Sequence, residues 1–421
     1  FEDALKNQRD VDLKRVEAQL VRRIEDRWIG FSLSMKLWER FGSRRLSAGR
    51  VQTPVLGWVV ERYKEVKSSY KTIYTVRLEN GWVLTFETDF IGKEAQVFES
   101  KLGESYAKVE KLGSEISTLP PPPPFTTDTL LREAAAQLGL GVDEVMRMAQ
   151  DLFELGLITY HRTDSIHVSA TGIGVARTYL SERGFQQQFV GRSWAPPGTH
   201  ECIRPTRPYD AETLRALVNQ GILQLVRPLT ARHYRLYDMI FRRFVASQMR
   251  EAAVKTERFR VSVETDSRML SKEMALYTEI VEPGFTLVYR TFVPLKIEPG
   301  VYKIAEVDRS RRPTLRLYTQ ADLVALMKEN GIGRPSTYAK IVSTLFERRY
   351  VIETKRRSIA PTKLGTEVFG YLNEKFKDMI SVDRTRKVEE EMDKVERGEK
   401  NYLDVLSEFY SEVMSIQEAT P

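Results

Sequence analysis

Leu157-Ile158-Thr159-Tyr160-His161-Arg162-Thr163-Asp164-Ser165 is the run from which the rest of the chain is read. Its apolar and β-branched start predicts a short strand that carries one phenol to the edge of a polar, cationic cluster. A free phenol has a pKa of about 10, so as a nucleophile it needs cations or a base beside it. In a strand, Arg162 falls on the same side as Tyr160. Its planar fork suits a phosphate, and Thr163 and Ser165 add hydroxyl donors. A phenol so placed can attack a phosphodiester and hold the cut strand as a phosphotyrosine ester. Phenolate leaves more easily than an alkoxide, so the strand can be resealed without ATP. An isolated tyrosine at a strand end is more often a core residue, so other segments must decide.

Three do. His200-Glu201-Cys202-Ile203-Arg204-Pro205-Thr206 places a proton carrier, His200, near Arg204 and Thr206, two phosphate-binding residue types. Leu46-Ser47-Ala48-Gly49-Arg50-Val51-Gln52-Thr53-Pro54 has a glycine for close backbone approach, Arg50 for phosphate, and Gln52 for a base edge. Gly331-Ile332-Gly333-Arg334-Pro335-Ser336-Thr337-Tyr338-Ala339 sets glycines and hydroxyls at a predicted helix start, an anion-binding arrangement. No strand precedes these glycines, which argues against a dinucleotide site.

The 421 residues allow two to four domains. A net charge of +7 leans toward a polyanionic partner. The single cysteine, Cys202, excludes an internal disulfide and a zinc-cysteine cluster, and fits a reducing, cytoplasmic setting. No signal peptide is visible, and no apolar run reaches membrane-spanning length. Residues 5–65 read mainly as helix, with Val16, Leu20, Ile24 and Trp28 on one face. Residues 70–117 and 257–303 are β-rich, the first with an Asn80-Gly81 hairpin signal. They bracket a mainly helical excursion, entered through a stiff strut at Pro120–Pro124. Residues 319–375 read as helix, turn, helix, hairpin, helix, with Ser336 or Thr337 capping the second helix. That order is winged-helix-like, and Lys355, Arg356 and Arg357 make a basic wing. Residues 386–415 read as a solvated helical tail.

Taken in order, the four motifs closely resemble those of type IA DNA topoisomerases, and the resemblance runs from about residue 10 to about 410. Cys202 stands where a small residue such as alanine is more usual. The wording of residues 22–31 and of Pro54-Val55-Leu56-Gly57-Trp58 looks most like the reverse gyrase branch. The resemblance implies a multi-domain α+β fold: a ring-like core with winged-helix-like helical domains and a β-rich arch. Residues 1–66 and 306–421 would form the helical base, 67–122 and 247–305 the arch, and 123–246 a mobile domain bearing Tyr160. The implied reaction cleaves one strand through a 5′-phosphotyrosine, passes another strand, and religates. Arg162 and His200 would support Tyr160 at the phosphate, with Thr163, Ser165, Arg204 and Thr206 binding DNA. Arg23, Asp26, Arg27, Ser47, Arg50 and Gln52, with Arg334, Ser336, Thr337 and Tyr338, are expected to line a single-strand groove.

The family's Toprim domain, with its acidic metal cluster, has no counterpart in these residues, and neither has an ATP-binding loop. Mg²⁺ is therefore expected on a Toprim domain outside the chain, and ATP only on a helicase-like module outside it. The chain reads as a fragment, without cleavage activity by itself. Two other readings stay open. One is another tyrosine strand-transferase, although the four histidines offer no His-x-His pair for a relaxase metal. The other is a non-catalytic winged-helix DNA-binding protein.

Overall fold

The computed structural model describes residues 10–198, 200–266 and 268–418. Residues 5–9 of the expected first helix lie outside the described residues. Contacts divide the chain into two units, one of residues up to 64, 141–143 and from 317 on, the other of residues 65–140 and 144–316.

In the first unit, α1 (Leu13–Phe41) starts where the Asp12 carboxylate accepts from the Arg15 amide, and stops at Gly42 in the left-handed region. Its buried stripe holds Ala18, Val21, Glu25, Ile29, Leu33 and Leu37. This differs from the expected face: Val16 and Leu20 are exposed at 42% and 41%. A carboxylate in the buried stripe disguises its helical period. The tail also differs. It is two helices, α12 (Val382–Glu396) and α13 (Tyr402–Glu418), separated around Gly398 at a φ of 75°. Val388, Met392, Val395, Val405, Leu406 and Phe409 pack on Ala18 and Val21 in one core. Each such side chain contributes about 1.5–3 kcal/mol by burial, so this tail is core and not solvated.

The winged-helix order is present. Helix α2 (Gln52–Ser68) precedes the sheet, and α9 (Gln320–Glu329) is closed by a Thr319–Asp322 capping box. Next come α10 (Tyr338–Glu347), a hairpin of β7 (Val351–Glu353) and β8 (Ile359–Pro361), and α11 (Lys363–Lys375). Arg349 and Arg357 flank the hairpin's first strand and its turn at φ values of 59° and 58°. A side chain bearing a Cβ is strained there by about 1 kcal/mol.

The second unit is built on a six-stranded antiparallel sheet in the order β2-β1-β6-β3-β4-β5. Its strands are β1 (Tyr70–Leu78), β2 (Val83–Thr88), β3 (Tyr106–Leu119), β4 (Ala252–Thr265), β5 (Arg268–Glu282) and β6 (Gly300–Pro313). Gly81 turns the first hairpin at a φ of 86°. Tyr74, Val76, Phe86 and Phe259 pack with Phe98 and Leu102 of α3 (Gly92–Gly103). The expected arch boundary at 305 falls inside β6, which pairs with β1 as far as Tyr70↔Pro313. The last pair of β3 and β4 is Leu119↔Ala252, so the chain leaves the sheet and re-enters it at facing positions. Between them lie α4 (Thr127–Glu133), α5 (Val142–Glu154), α6 (Ala170–Glu182), α7 (Ala211–Asn219) and α8 (Ala231–Ser247). The proline strut is fastened by Arg243, whose Nε donates to the Pro123 carbonyl at 2.7 Å.

Candidate active site and nucleic-acid interface

Gly156, at a φ of 68°, ends α5 and turns the chain toward Tyr160. Leu157 and Ile158 are buried, but they form no strand. Ile158 makes one isolated bridge, to Pro205. The expected alternation that set Arg162 beside Tyr160 is therefore absent. What aligns the segment is Thr159. Its amide donates to the Arg204 carbonyl at 2.9 Å, and its hydroxyl donates to the Cys202 carbonyl at 2.7 Å. The same hydroxyl accepts from the Arg204 amide at 3.0 Å. Further along, the Cys202 amide donates to the His167 carbonyl and the Ile203 amide to the Phe125 carbonyl. The two motifs are thus stitched together by backbone and one hydroxyl, a role the sequence reading missed.

The stitching puts Tyr160 among rings. Its ring centre lies 5.2 Å from Phe153, 5.6 Å from His161 and 5.6 Å from His200. Tyr160 and Arg162 are half-buried and His200 is exposed. Arg162 Nε is buried with no hydrogen-bond partner. His161 is buried, and neither ring nitrogen has a partner. Burial, helped by the Arg162 charge, pulls its pKa down to about 4, so the imidazole is neutral at neutral pH.

Other expected DNA contacts have structural partners. Arg204 is buried, and its Nε and Nη2 donate to the Glu201 carboxylate at 2.8 and 2.7 Å. Nη1 donates to the Pro205 carbonyl at 2.9 Å. A Cβ on Gly172 would lie 2.7 Å from Arg204 Nε, so only glycine admits this side chain. The structure therefore gives Arg204 an internal partner in place of a phosphate. Thr206 donates to the Gly156 carbonyl at 2.6 Å. Thr163 is buried on Thr127, and its hydroxyl accepts from the Ser165 amide at 3.0 Å. Ser165 in turn accepts from the His167 amide at 3.1 Å. Cys202 is buried, and burial pushes its thiol up to about 12.

The expected groove residues lie in the first unit. Arg23 and Arg27 are exposed on α1, with Arg27 over the Phe31 ring. Arg50 is 2% exposed, which removes it from the expected phosphate-contacting surface. It meets Glu25 at 3.1 Å, Asp26 at 2.9 Å and Glu389 at 3.0 Å. Burial opposes its charge, but Asp26, Glu25 and Glu389 outweigh burial and raise its pKa. Glu25 is raised by burial, which Arg50 and Arg384 only partly offset. Arg334 is held by Glu389 and Asp393, both at 3.0 Å. Thr337 is the N-cap of α10 but makes no side-chain cap bond; its hydroxyl accepts from the Arg334 amide at 2.9 Å. Tyr338 is buried and Ser336 exposed. The Ser47 amide donates to the Tyr350 hydroxyl at 2.9 Å, and Gln52 reaches the Ser47 carbonyl at 3.4 Å.

Among the described residues, no group of three or more His, Cys, Asp or Glu side chains could hold a metal ion. No described helix is long and apolar enough to cross a membrane.

Comparison with known proteins agrees with the four motifs. The sequence profile of the DNA topoisomerase family matches residues 10–407. The chain is 47% identical to the reverse gyrase of Pyrococcus furiosus over 417 residues, covering 98% of this chain and 33% of that protein. It is 46% identical to reverse gyrase 1 of Aquifex aeolicus, covering 99% of this chain and 36% of that protein. The chain thus spans about a third of the length of the curated relatives it matches. Full-length topoisomerase I from Thermotoga maritima superposes with a TM-score of 0.76 at 32% identity, covering 99% of this chain and 71% of that one. The chain belongs to the DNA topoisomerase family, type IA.

Proposed function

We propose that this chain is the strand-cleaving and DNA-holding part of a topoisomerase in which Tyr160 forms the covalent link to DNA. The phenol oxygen attacks the phosphorus of one strand, and a tyrosyl–phosphate bond forms as the bond to the 3′ oxygen breaks. The 3′ oxygen takes up a proton and the phenol gives one up. The reverse attack by the 3′ hydroxyl restores the strand and frees Tyr160. His200 is the side chain placed to carry a proton, being exposed and 5.6 Å from the Tyr160 ring between centres. Arg162 supplies positive charge at the phosphate, and neutral His161 supplies none. The Tyr160–His200 juxtaposition carries this reading, because it joins two motifs forty residues apart in sequence. In the same proposal the sheet acts as an arch, residues 123–246 as a mobile carrier, and the first unit as a base that holds single-stranded DNA.

The described residues do not fit Mg²⁺, so no step runs through it here; in this proposal a separate Toprim domain would hold it. The reverse gyrase relatives favour a whole protein that couples strand passage to ATP in a helicase-like module and adds positive supercoils. The Thermotoga likeness supports a second reading, plain relaxation of negative supercoils. With a Toprim domain supplied, Tyr160→Phe is expected to abolish the denaturant-stable adduct with single-stranded DNA while leaving binding intact. An adduct that survives would remove Tyr160 from the reaction. Incubation with relaxed plasmid and ATP, read on a two-dimensional gel, separates the two readings by whether positive topoisomers form.

A further inference from the structure

The wing between β7 and β8 is held more firmly than its exposure suggests. The Thr354 amide donates to the Ser358 carbonyl at 2.8 Å, and the Arg357 amide donates to the Thr354 carbonyl at 2.9 Å. The Thr354 hydroxyl accepts from the Ser358 amide at 3.2 Å. The Ile359 amide donates to the Tyr318 carbonyl at 2.7 Å, which adds a third segment to the hairpin. On this frame stand Lys355, Arg356 and Arg357, all exposed and, among the described residues, without an acidic partner. At the other end of β7, Arg349 is also exposed. Arg348 Nη1 donates to the Arg45 carbonyl at 2.9 Å, bringing the exposed Arg44 and Arg45 to the base of the hairpin. Nearby carboxylates are engaged elsewhere: Glu347 with Lys340, and Glu353 with Gln320.

Only three non-glycine residues among those described have a left-handed backbone, and two are Arg349 and Arg357. Glycine or asparagine would relieve the strain at both positions. A long cation at a strained position, where glycine would sit more easily, points to a use for the cation. The tip carries no aromatic ring, so it has no platform for stacking an unpaired base. Positive charge on a rigid hairpin is suited instead to the dense, regular phosphates of a double helix.

We propose that Lys355, Arg356 and Arg357, with Arg349, form a docking site for the sugar–phosphate backbone of duplex DNA, distinct from the single-strand site. The inference rests on the proposed function in taking DNA as the polyanion. It needs no cleavage, so it can be tested on this chain as it stands.

Binding is measured by fluorescence anisotropy to a blunt duplex and to a single strand of matched length, across a salt series. Replacing Lys355, Arg356 and Arg357 together by alanine should flatten the duplex plot of log affinity against log salt by about 2–3, at roughly 0.9 per lost contact. The single-strand plot should not move. Arg357→Gly relieves the backbone strain, so its melting temperature should hold or rise while the duplex slope still falls by about 0.9. A full duplex slope in the triple variant would overturn the site, as would equal losses on both DNAs. A chain that binds only the single strand would refute the wing and leave the proposed function standing. A chain that binds neither DNA would refute both.

Discussion

Arg204 and Glu201 face each other as a two-toothed pair, Nε and Nη2 against the carboxylate at 2.8 and 2.7 Å. The bond closes the segment from Glu201 to Arg204, directly after His200. Breaking one side leaves a buried guanidinium unpaired. Glu201→Ala should therefore lower unfolding free energy by about 2–3 kcal/mol, less than for a fully buried pair because Glu201 is partly wet. Glu201→Gln keeps one hydrogen bond and should cost less. Denaturant melts of the three proteins check the order.

Arg162 has an unpartnered, buried Nε in the chain without DNA. With a Toprim domain supplied, Arg162→Ala should slow cleavage by roughly a hundredfold, the usual effect of removing one donor at developing charge. Single-turnover cleavage of an end-labelled strand measures it. A change of less than a few fold would make Arg162 structural. His200→Gln should instead alter the pH dependence of the same rate, because it removes a proton carrier.

Arg50 is paired with three carboxylates and shielded from solvent. Arg50→Ala should cost about 3 kcal/mol of stability, because buried Glu25 then keeps only Arg384 and buried Glu389 only Arg334. The salt dependence of DNA binding should stay as it was. A flatter salt slope in a protein of undiminished stability would return Arg50 to the groove.

His161 has a folded pKa of about 4 against about 6.5 for a free imidazole. The unfolded chain therefore binds the proton more readily. The sign follows: the contribution to stability is complete above pH 6.5 and is lost as pH falls toward 4. Between pH 7 and 5 the loss is about 2 kcal/mol. His161→Met, apolar and of similar size, should lose less stability across that interval. Melting temperatures of both proteins at pH 7 and pH 5 test this, and parallel curves would show that His161 does not titrate as argued.

The β hairpin at Asn80-Gly81, the excursion between two β stretches and the winged-helix order were readable because each depends on local turn chemistry or on a regular period. The buried stripe of α1 was not, because Glu25 interrupts it, and Glu25 is tolerated only through Arg50 and Arg384, which come from distant sequence. The same cause hid the nature of the tail: the charges of residues 386–400 advertise solvent, while every third or fourth residue faces the core. At the Tyr160 site the residue types could be recognised, but the alignment could not. It rests on Thr159 bonding a loop that begins forty residues later, and no periodicity encodes that pairing. The pairing of Arg204 with Glu201 is hidden for a related reason, since two charges three residues apart in a loop carry no periodic signal.

The facing pair Leu119 and Ala252 has a practical consequence. Adjacent antiparallel strands lie about 5 Å apart, so everything between these residues is inserted at what could have been a hairpin turn. Joining Leu119 to Ala252 through a two-residue loop would leave the register of all six strands unchanged. The excised piece has its own buried helix, α8, and ends that lie close enough to be closed on themselves. The sheet would then uncover Tyr289, whose ring now lies under Arg243 and whose hydroxyl meets Glu133, and would need a polar residue there. The gene could in this way be divided into a sheet and a piece bearing Tyr160, made separately and mixed, so that the proposed nucleophile is studied apart from the sheet.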